Sequence, residues 1–123
     1  MERNNKTIKI EEIIEYIEEK YNVNPEYLWE DTPDTAIFRH KSNNKWFGLI
    51  MNVNGEEYLN IKTEPEYSEL LRNSYNYIIP AYHMNKQHWN TIIISEKVDK
   101  ELVYELIDQS YELTKKKTRK PKR

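Results

Sequence analysis

The chain has 123 residues, of which 37% are hydrophobic, 33% charged and 12% aromatic. This length allows one domain, and so high an aromatic fraction argues against a wholly disordered chain. The absence of cysteine excludes disulfides, thiolate metal sites and a cysteine nucleophile, and it favours a cytoplasmic location. No apolar run is long enough to cross a membrane, and the first ten residues lack the apolar core of a signal peptide.

Charge is segregated along the sequence, although the formal net charge is only -2. Residues 115–123 contain seven basic residues and no acid, so residues 1–114 carry a charge of about -9. Two windows within that body, 35–55 and 78–95, contain no Asp or Glu. We therefore predict a folded domain over residues 1–114 and a basic, disordered tail over 115–123.

The first predicted element is an amphipathic helix that is capped by Thr7 and runs to about Tyr21. Asn24-Pro25 is expected to stop it, because the residue before proline avoids the helical region. A turn-rich connection follows, and its large apolar side chains are predicted to close the edge of the core: Tyr27, Leu28 and Trp29.

Three strands are predicted next, over residues 35–41, 45–53 and 56–62. Asn43-Asn44 tolerates the positive backbone angles of a tight turn, and Asn54-Gly55 is among the most favourable two-residue hairpin turns. The three strands therefore form an antiparallel meander.

The remaining elements complete a mixed domain. Thr63, Pro65 and Glu66 fit the start of a capped helix that ends near residue 73, and residues 74–80 are expected to be irregular. The β-branched run 90–95 predicts a buried strand, and Asp99 is expected to cap a last helix. This order indicates an α+β, two-layer fold in which an antiparallel sheet of four to six strands has helices packed on one face.

Several motifs resemble those of the MmcQ/YjbR family of small bacterial proteins: PEYLWE at 25–30, IFRH at 37–40, KWFGLIM at 45–51, LNIKTEP at 59–65, PAYHMNKQHWNT at 80–91 and SYELT at 110–114. The resemblance covers roughly residues 7–114. It implies an α/β fold likened to CyaY and compared with type III secretion chaperones. The resemblance also implies DNA binding through two hairpin loops that resemble a double wing. It implies no enzymatic activity.

The residues themselves offer little for catalysis or for a cofactor. Gly48 and Gly55 are the only glycines, so no phosphate-cradling loop or nucleophile elbow can be built. His83 and His88 do not share a helix or strand face, and residues 78–95 supply no third metal ligand. We predict a protein that is not an enzyme and that holds no cofactor or metal.

Nucleic-acid binding has more support, because basic and amide side chains concentrate in the two windows without acids. Lysine and arginine bind phosphate, and asparagine donates to phosphate or to base edges. The candidate residues are Arg39, Lys41, Asn43, Asn44, Lys45, Asn85, Lys86 and His88, with Lys115, Lys116, Lys117 and Arg119 of the tail. Trp46, Tyr82 and Trp89 could stack on bases, or they could belong to the core.

A protein- or peptide-binding module is the alternative. An acidic first helix and tyrosines that are predicted to be exposed, at 67, 75 and 77, would suit a partner surface. The two hypotheses differ in where the positive charges lie. If Arg39, Lys41, Lys45 and Lys86 share one face, nucleic acid is favoured, and if they scatter, a protein partner is favoured.

Overall fold

The computed structural model describes residues 8–81 and 84–115, and in these ranges three helices lie on one five-stranded antiparallel sheet. The α+β fold that the sequence predicts is therefore confirmed. The sheet order is β1-β2-β3-β5-β4. The elements are α1 (Ile10–Tyr21), β1 (Ala36–Arg39), β2 (Trp46–Val53), β3 (Glu56–Lys62), α2 (Pro65–Ser74), β4 (Ile78–Pro80), β5 (Trp89–Ile94) and α3 (Lys100–Thr114).

The predicted meander is present, and its turns follow from residues that tolerate positive φ. Asn44 has φ 63°, Asn54 has φ 53° and Gly55 has φ 89°. The last pair matches a two-residue hairpin turn in which both central residues are left-handed. The register places Val53 opposite Glu56, so β2 and β3 continue directly from that turn.

A β-bulge in β2 decides which aromatic side chains enter the core. Phe38 pairs with Gly48, whereas Arg39 pairs with Trp46, so Phe47 is the extra residue on β2. A bulge re-aims the side chains around it. Phe47 is fully buried in the main core, while Trp46 packs with the cluster on the other side of the sheet.

The core lies between the helices and one face of the sheet. Buried side chains of α1 and α3 pack there against the inward-facing residues of the strands. They include Ile13 and Ile17 from α1, Val103, Leu106 and Ile107 from α3, and Phe38, Phe47, Leu59, Ile61 and Ile92 from the strands. The opposite face of the sheet, which we call the open face, has none of the three described helices against it.

Two predictions about the N-terminal third are wrong. The first helix is capped by Lys9 and begins at Ile10, so the cap predicted at Thr7 is wrong, whereas the predicted end near Tyr21 is confirmed, with a left-handed Asn22 ending the helix before Pro25. The Glu12 carboxylate accepts the backbone N–H of Lys9 at 2.9 Å, and this hydrogen bond stabilises the start of the helix. The connection after α1 does not close the core, since its large side chains are 54%, 49% and 41% exposed: Tyr27, Leu28 and Trp29.

The segment around α2 also differs from expectation. Glu64 is the N-cap of α2, because the Thr63 hydroxyl is bonded to Ser68 and Asn90 instead of capping the helix. Residues 78–80, which were expected to be irregular, form β4 against β5. The three tyrosines expected to be exposed, at 67, 75 and 77, are half-buried against the core. Asp99 caps α3 as predicted, accepting from the Glu101 backbone N–H at 3.2 Å.

Candidate nucleic-acid interface

The sheet topology brings both windows without acids to the same end of the sheet. The turn at 40–45 joins β1 to β2 at this end. Lys62 at the end of β3 pairs with Trp89 at the start of β5, and Pro80 pairs with Asn90, so the connection between β4 and β5 lies there too. Residues 40–45, 84–88 and Lys115 are called the basic end below.

The first loop is held against the end of α3. The Asn43 amide donates to the Thr114 carbonyl at 3.1 Å, and its oxygen accepts the Lys45 backbone N–H at 2.8 Å. His40 Nε2 lies 2.8 Å from the Thr114 hydroxyl. The last turn of α3, and with it Lys115 at the start of the tail, is therefore fixed beside this loop.

His40 is an anchor for the loop and does not face a ligand. It is 3% exposed, and its ring lies against Phe47 and Tyr111. Burial lowers the pKa of His40, because the charged imidazolium would lose its hydration. The side chain is therefore neutral at pH 7 and adds no positive charge to the basic end.

Arg72 of α2 holds the second loop, a role for which there is no local signal in the sequence. Its guanidinium donates to the Asn90 side-chain oxygen at 2.6 Å, to the Trp89 carbonyl at 3.3 Å and to the Lys86 carbonyl. The Asn85 side chain accepts the Gln87 backbone N–H at 2.9 Å, which tightens the turn further. Both loops of the basic end are thus held by hydrogen bonds to a helix, the first to the end of α3 and the second to Arg72 of α2.

The candidate residues differ in how much charge they can offer. Arg39 forms an ion pair with Glu26 at 2.9 Å, because the backbone bridge between Glu26 and Ile37 brings that carboxylate alongside β1. Lys115 pairs with Glu112 at 3.3 Å. Six candidates are exposed, namely Lys41, Asn44, Lys45, Asn85, Lys86 and Lys115.

The other candidates are less accessible or lie outside the described residues. His88 is half-buried, and among the described residues its Nδ1 is buried without a hydrogen-bond partner. Trp89 is only 9% exposed and packs in the cluster beneath the open face, so it is a core residue. Tyr82, His83, Lys116, Lys117 and Arg119 lie outside the described ranges.

The open face carries an apolar groove of about 650 Å³. Trp29 from the connection after α1 meets Trp46 edge to face there, with ring centroids 5.9 Å apart. None of the predictions made from the sequence pointed to this groove. The lining residues are Trp29, Thr32, Trp46, Leu49, Met51, Val53, Tyr58, Asn60, Ile79, Ala81, Met84 and Thr91.

On the helix side, a carboxylate at the contact between α1 and α3 has a structural role. Asp108 accepts from the Tyr16 and Tyr21 hydroxyls and from Lys20. Burial alone would raise the pKa of Asp108, but these donors outweigh it and lower the pKa. The carboxylate links α3 to α1 through these hydrogen bonds, so a structural role is enough to explain why the three donors surround it.

Residues 8–81 and 84–115 contain neither a cluster of metal ligands nor a helix that could span a membrane. In these ranges no three His, Cys, Asp or Glu side chains are grouped so that they could hold a metal ion. Within the same ranges no helix combines the length and the apolar character that a membrane span requires.

Comparison of the sequence with models of known protein families shows the family to which the chain belongs. The family model YjbR matches residues 8–113 of the chain. The chain belongs to the YjbR family. This YjbR-family chain is 45% identical over 115 residues to YyaQ of Bacillus subtilis, a match that covers 85% of this chain and 97% of the relative. It is 33% identical over 66 residues to YjbR of Escherichia coli K12, which covers 54% and 56% of the two chains.

Solved structures agree with the fold. A crystal structure of a Pseudomonas syringae protein has 35% identity and a TM-score of 0.81, over 88% of this chain and all of the other. A crystal structure of a Deinococcus radiodurans protein has 28% identity and a TM-score of 0.74, over 88% of this chain and 78% of the other. The five-stranded sheet with helices on one face is thus shared with experimental structures of similar sequence.

Proposed function

We propose that the protein is a non-enzymatic, cytoplasmic DNA-binding protein that holds DNA weakly, with little sequence preference, at the basic end. The observation that carries the proposal is the convergence of two loops without acids at one end of the sheet. The start of the tail, Lys115, lies at the same end because Thr114 is bonded to Asn43. The resemblance of the hairpin loops to a double wing supports DNA binding. The cysteine-free composition supports the cytoplasmic location.

Pre-ordered loops favour binding, because little conformational freedom is left to lose on contact. Arg72 and Asn43 fix the two loops through the contacts described above. The exposed lysines at 41, 45 and 86 are the proposed phosphate contacts, and the amides of Asn44 and Asn85 are proposed to donate alongside them. Arg39 is expected to contribute less, since Glu26 neutralises it.

The distribution of acids is compatible with one positive end on an acidic body. Glu56 and Glu57 lie at the turn between β2 and β3, at the opposite end of the sheet. DNA that approaches the tips of the two loops avoids these carboxylates. Two other acids lie near the basic end, namely the exposed Glu64 just after β3 and Glu112, which pairs with Lys115, so the proposed contacts are confined to the loops. The electrostatic attraction is expected to be sensitive to salt, as for other contacts that release phosphate counterions.

Fluorescence anisotropy with a 20-base-pair duplex at several salt concentrations tests the proposal. The double variant Lys41→Glu/Lys45→Glu should weaken binding at least tenfold at low salt and reduce the log-log salt slope by about two units, since each phosphate contact contributes about 0.9. The charge-matched comparison is Lys45→Glu alone against Lys97→Glu: the first should weaken binding and the second should not, because Lys97 is exposed at the other end of the sheet, after β5.

The tail must be separated from the folded domain in the same assay. If all seven tail charges neutralised phosphates, a chain ending at Thr114 would have a slope smaller by about six units, and engagement of only some of them would give a smaller difference. The proposal is wrong for the folded domain if this shorter chain shows no binding at low salt and the double variant behaves like wild type in the full chain. In that case the tail alone binds DNA.

Binding of a protein or peptide is a second candidate function, and the groove on the open face favours it. An exposed apolar surface of this kind commonly marks an interaction site.

A further inference from the structure

The open face exposes apolar side chains that most folded domains would cover. Trp46, Met51, Val53, Tyr58 and Ile79 all lie on it and are only half-buried. Trp29 is 41% exposed at its margin. The register explains the shared face, because Met51 pairs with Tyr58 and Ile79 pairs with Thr91, and directly paired residues project to the same side. Unless a ligand covers it, this surface remains in contact with water.

We propose that this groove binds an apolar peptide segment flanked by lysine or arginine, supplied by a partner protein. This site is separate from the basic end and does not depend on DNA binding. The groove volume of about 650 Å³ falls within the range of ligand-binding clefts, roughly 300–1,000 Å³, so it can accept several large side chains of one segment.

The side-chain types in the groove suit peptide recognition. Trp29, Trp46 and Tyr58 offer large contact areas with few rotatable bonds, which is why tryptophan and tyrosine dominate the energetics of many protein interfaces. Met51 and Met84 can change rotamer to fit the incoming side chains. The combination favours a flexible apolar segment over a single rigid small molecule.

The floor of the groove contains a polar group that a peptide backbone could satisfy. Asn60 and Thr91 are each 4% exposed, and the Thr91 hydroxyl donates to the Asn60 side-chain oxygen. The Asn60 amide donates to the Met51 sulfur at 3.1 Å, and a thioether is a weak acceptor. A peptide carbonyl in the groove would be a stronger acceptor for this amide.

The charges at the margin select the flanking residues of the peptide. Glu30 and Asp31 are exposed and lie in the chain between the lining residues Trp29 and Thr32. Glu56 is exposed and pairs with Val53, so it projects to the open face at the far end of the groove. These carboxylates attract lysine or arginine and repel phosphates, so they favour a basic peptide over a nucleic-acid strand.

The test uses two synthetic 16-residue amphipathic peptides without tryptophan, one with a leucine face and lysines elsewhere, the other with glutamates in place of the lysines. Tryptophan emission of the full chain reports binding, since Trp29 and Trp46 are exposed or half-buried. The lysine peptide should bind with a micromolar Kd and shift the emission to shorter wavelength. The glutamate peptide should bind at least tenfold more weakly.

Two matched pairs of variants separate the groove from general charge attraction. Met51→Glu should weaken the lysine peptide at least tenfold, whereas Leu70→Glu, which makes the same change at an exposed apolar residue of α2 outside the groove, should not. Tyr58→Ala replaces Met51→Glu if circular dichroism shows that the latter is unfolded. Glu30→Lys/Asp31→Lys should weaken binding more than Glu18→Lys/Glu19→Lys on α1.

Several outcomes would overturn the proposal. Equal effects of Met51→Glu and Leu70→Glu would mean that only net charge attracts the peptide. A dimer that Met51→Glu dissociates would assign the groove to a second copy of the chain, and blue-shifted emission with a single-stranded oligonucleotide but not with the lysine peptide would assign it to nucleic acid. Lys41→Glu/Lys45→Glu should leave peptide binding unchanged, so failure of the DNA proposal and failure of this one are distinguishable.

Discussion

Replacing Arg72 by alanine tests whether the second loop of the basic end is held as described. The substitution removes the donors to Lys86, Trp89 and Asn90. Asn90 is fully buried, and its amide is already committed to Thr63 and Ser68, so its oxygen would be left without Arg72 as donor.

The expected loss of unfolding free energy is about 1.5–3 kcal/mol. A hydrogen bond from a charged donor contributes about 1.5–3 kcal/mol, and an unsatisfied buried acceptor costs about 1–3 kcal/mol, two views of the same loss that are not additive. Arg39→Ala is the control: it removes an ion pair whose side chains are both 36% exposed, and such pairs contribute about 1 kcal/mol or less.

Urea unfolding at pH 7 measures both variants, and amide hydrogen exchange locates the change. Arg72→Ala should speed amide exchange at residues 84–90. In β2 and β3 the exchange rates should rise only by the amount that the loss of global stability predicts. A loss within 0.5 kcal/mol of that of Arg39→Ala, or no local increase in exchange, would refute the assigned role of Arg72.

Three further changes probe other parts of the fold. Asp108→Asn should cost about 1–2 kcal/mol at pH 7, because the Tyr16 and Tyr21 hydroxyls lose a charged acceptor. Since the folded pKa of Asp108 lies below its unfolded value near 4, the cost should shrink as urea unfolding is repeated below that pH, and a constant cost would contradict the assignment. The lowered pKa of His40 means that the unfolded chain takes up the proton first, so stability should fall from about pH 6.5 downward by at most about 1.4 kcal/mol per pH unit. His40→Gln should flatten this slope in urea unfolding, and an unchanged slope would assign it to other groups. Gly55→Ala should cost about 1 kcal/mol through backbone strain at φ 89°, since nothing lies within 4 Å of an added Cβ, and an unchanged urea midpoint would contradict this reasoning.

Local chemistry explains why the meander and the last helix could be predicted from the sequence. Asn54-Gly55 and Asp99 act through their own backbone neighbours, so the signal and its effect lie within a few residues. The Thr63 capping box fails because a distant residue, Asn90, competes for the hydroxyl. Long-range competition of this kind cannot be read from spacing.

The candidate site also has some features that could be predicted from the sequence and others that depend on contacts between distant residues. The absence of acids from two windows is visible in the sequence, but the ion pair of Arg39 with Glu26 depends on a backbone bridge outside the main strands. Trp29 was expected to close the core because it is apolar, yet it lies beside the open face, where the same apolarity lines a groove. The unbroken apolar run FGLIM in β2 was the available signal, since a strand with one wetted face alternates.

Chemical-shift mapping of the full, isotope-labelled chain with a 20-base-pair duplex tests the central claim most directly. At low salt, the amides of residues 41–45 and 84–88 should shift on titration, while those of 54–57 and 95–97 at the opposite end of the sheet should not. The shifts should be lost in Lys41→Glu/Lys45→Glu and kept in Lys97→Glu. Shifts confined to residues 115–123, or equal shifts at both ends of the sheet, would contradict DNA binding by the basic end.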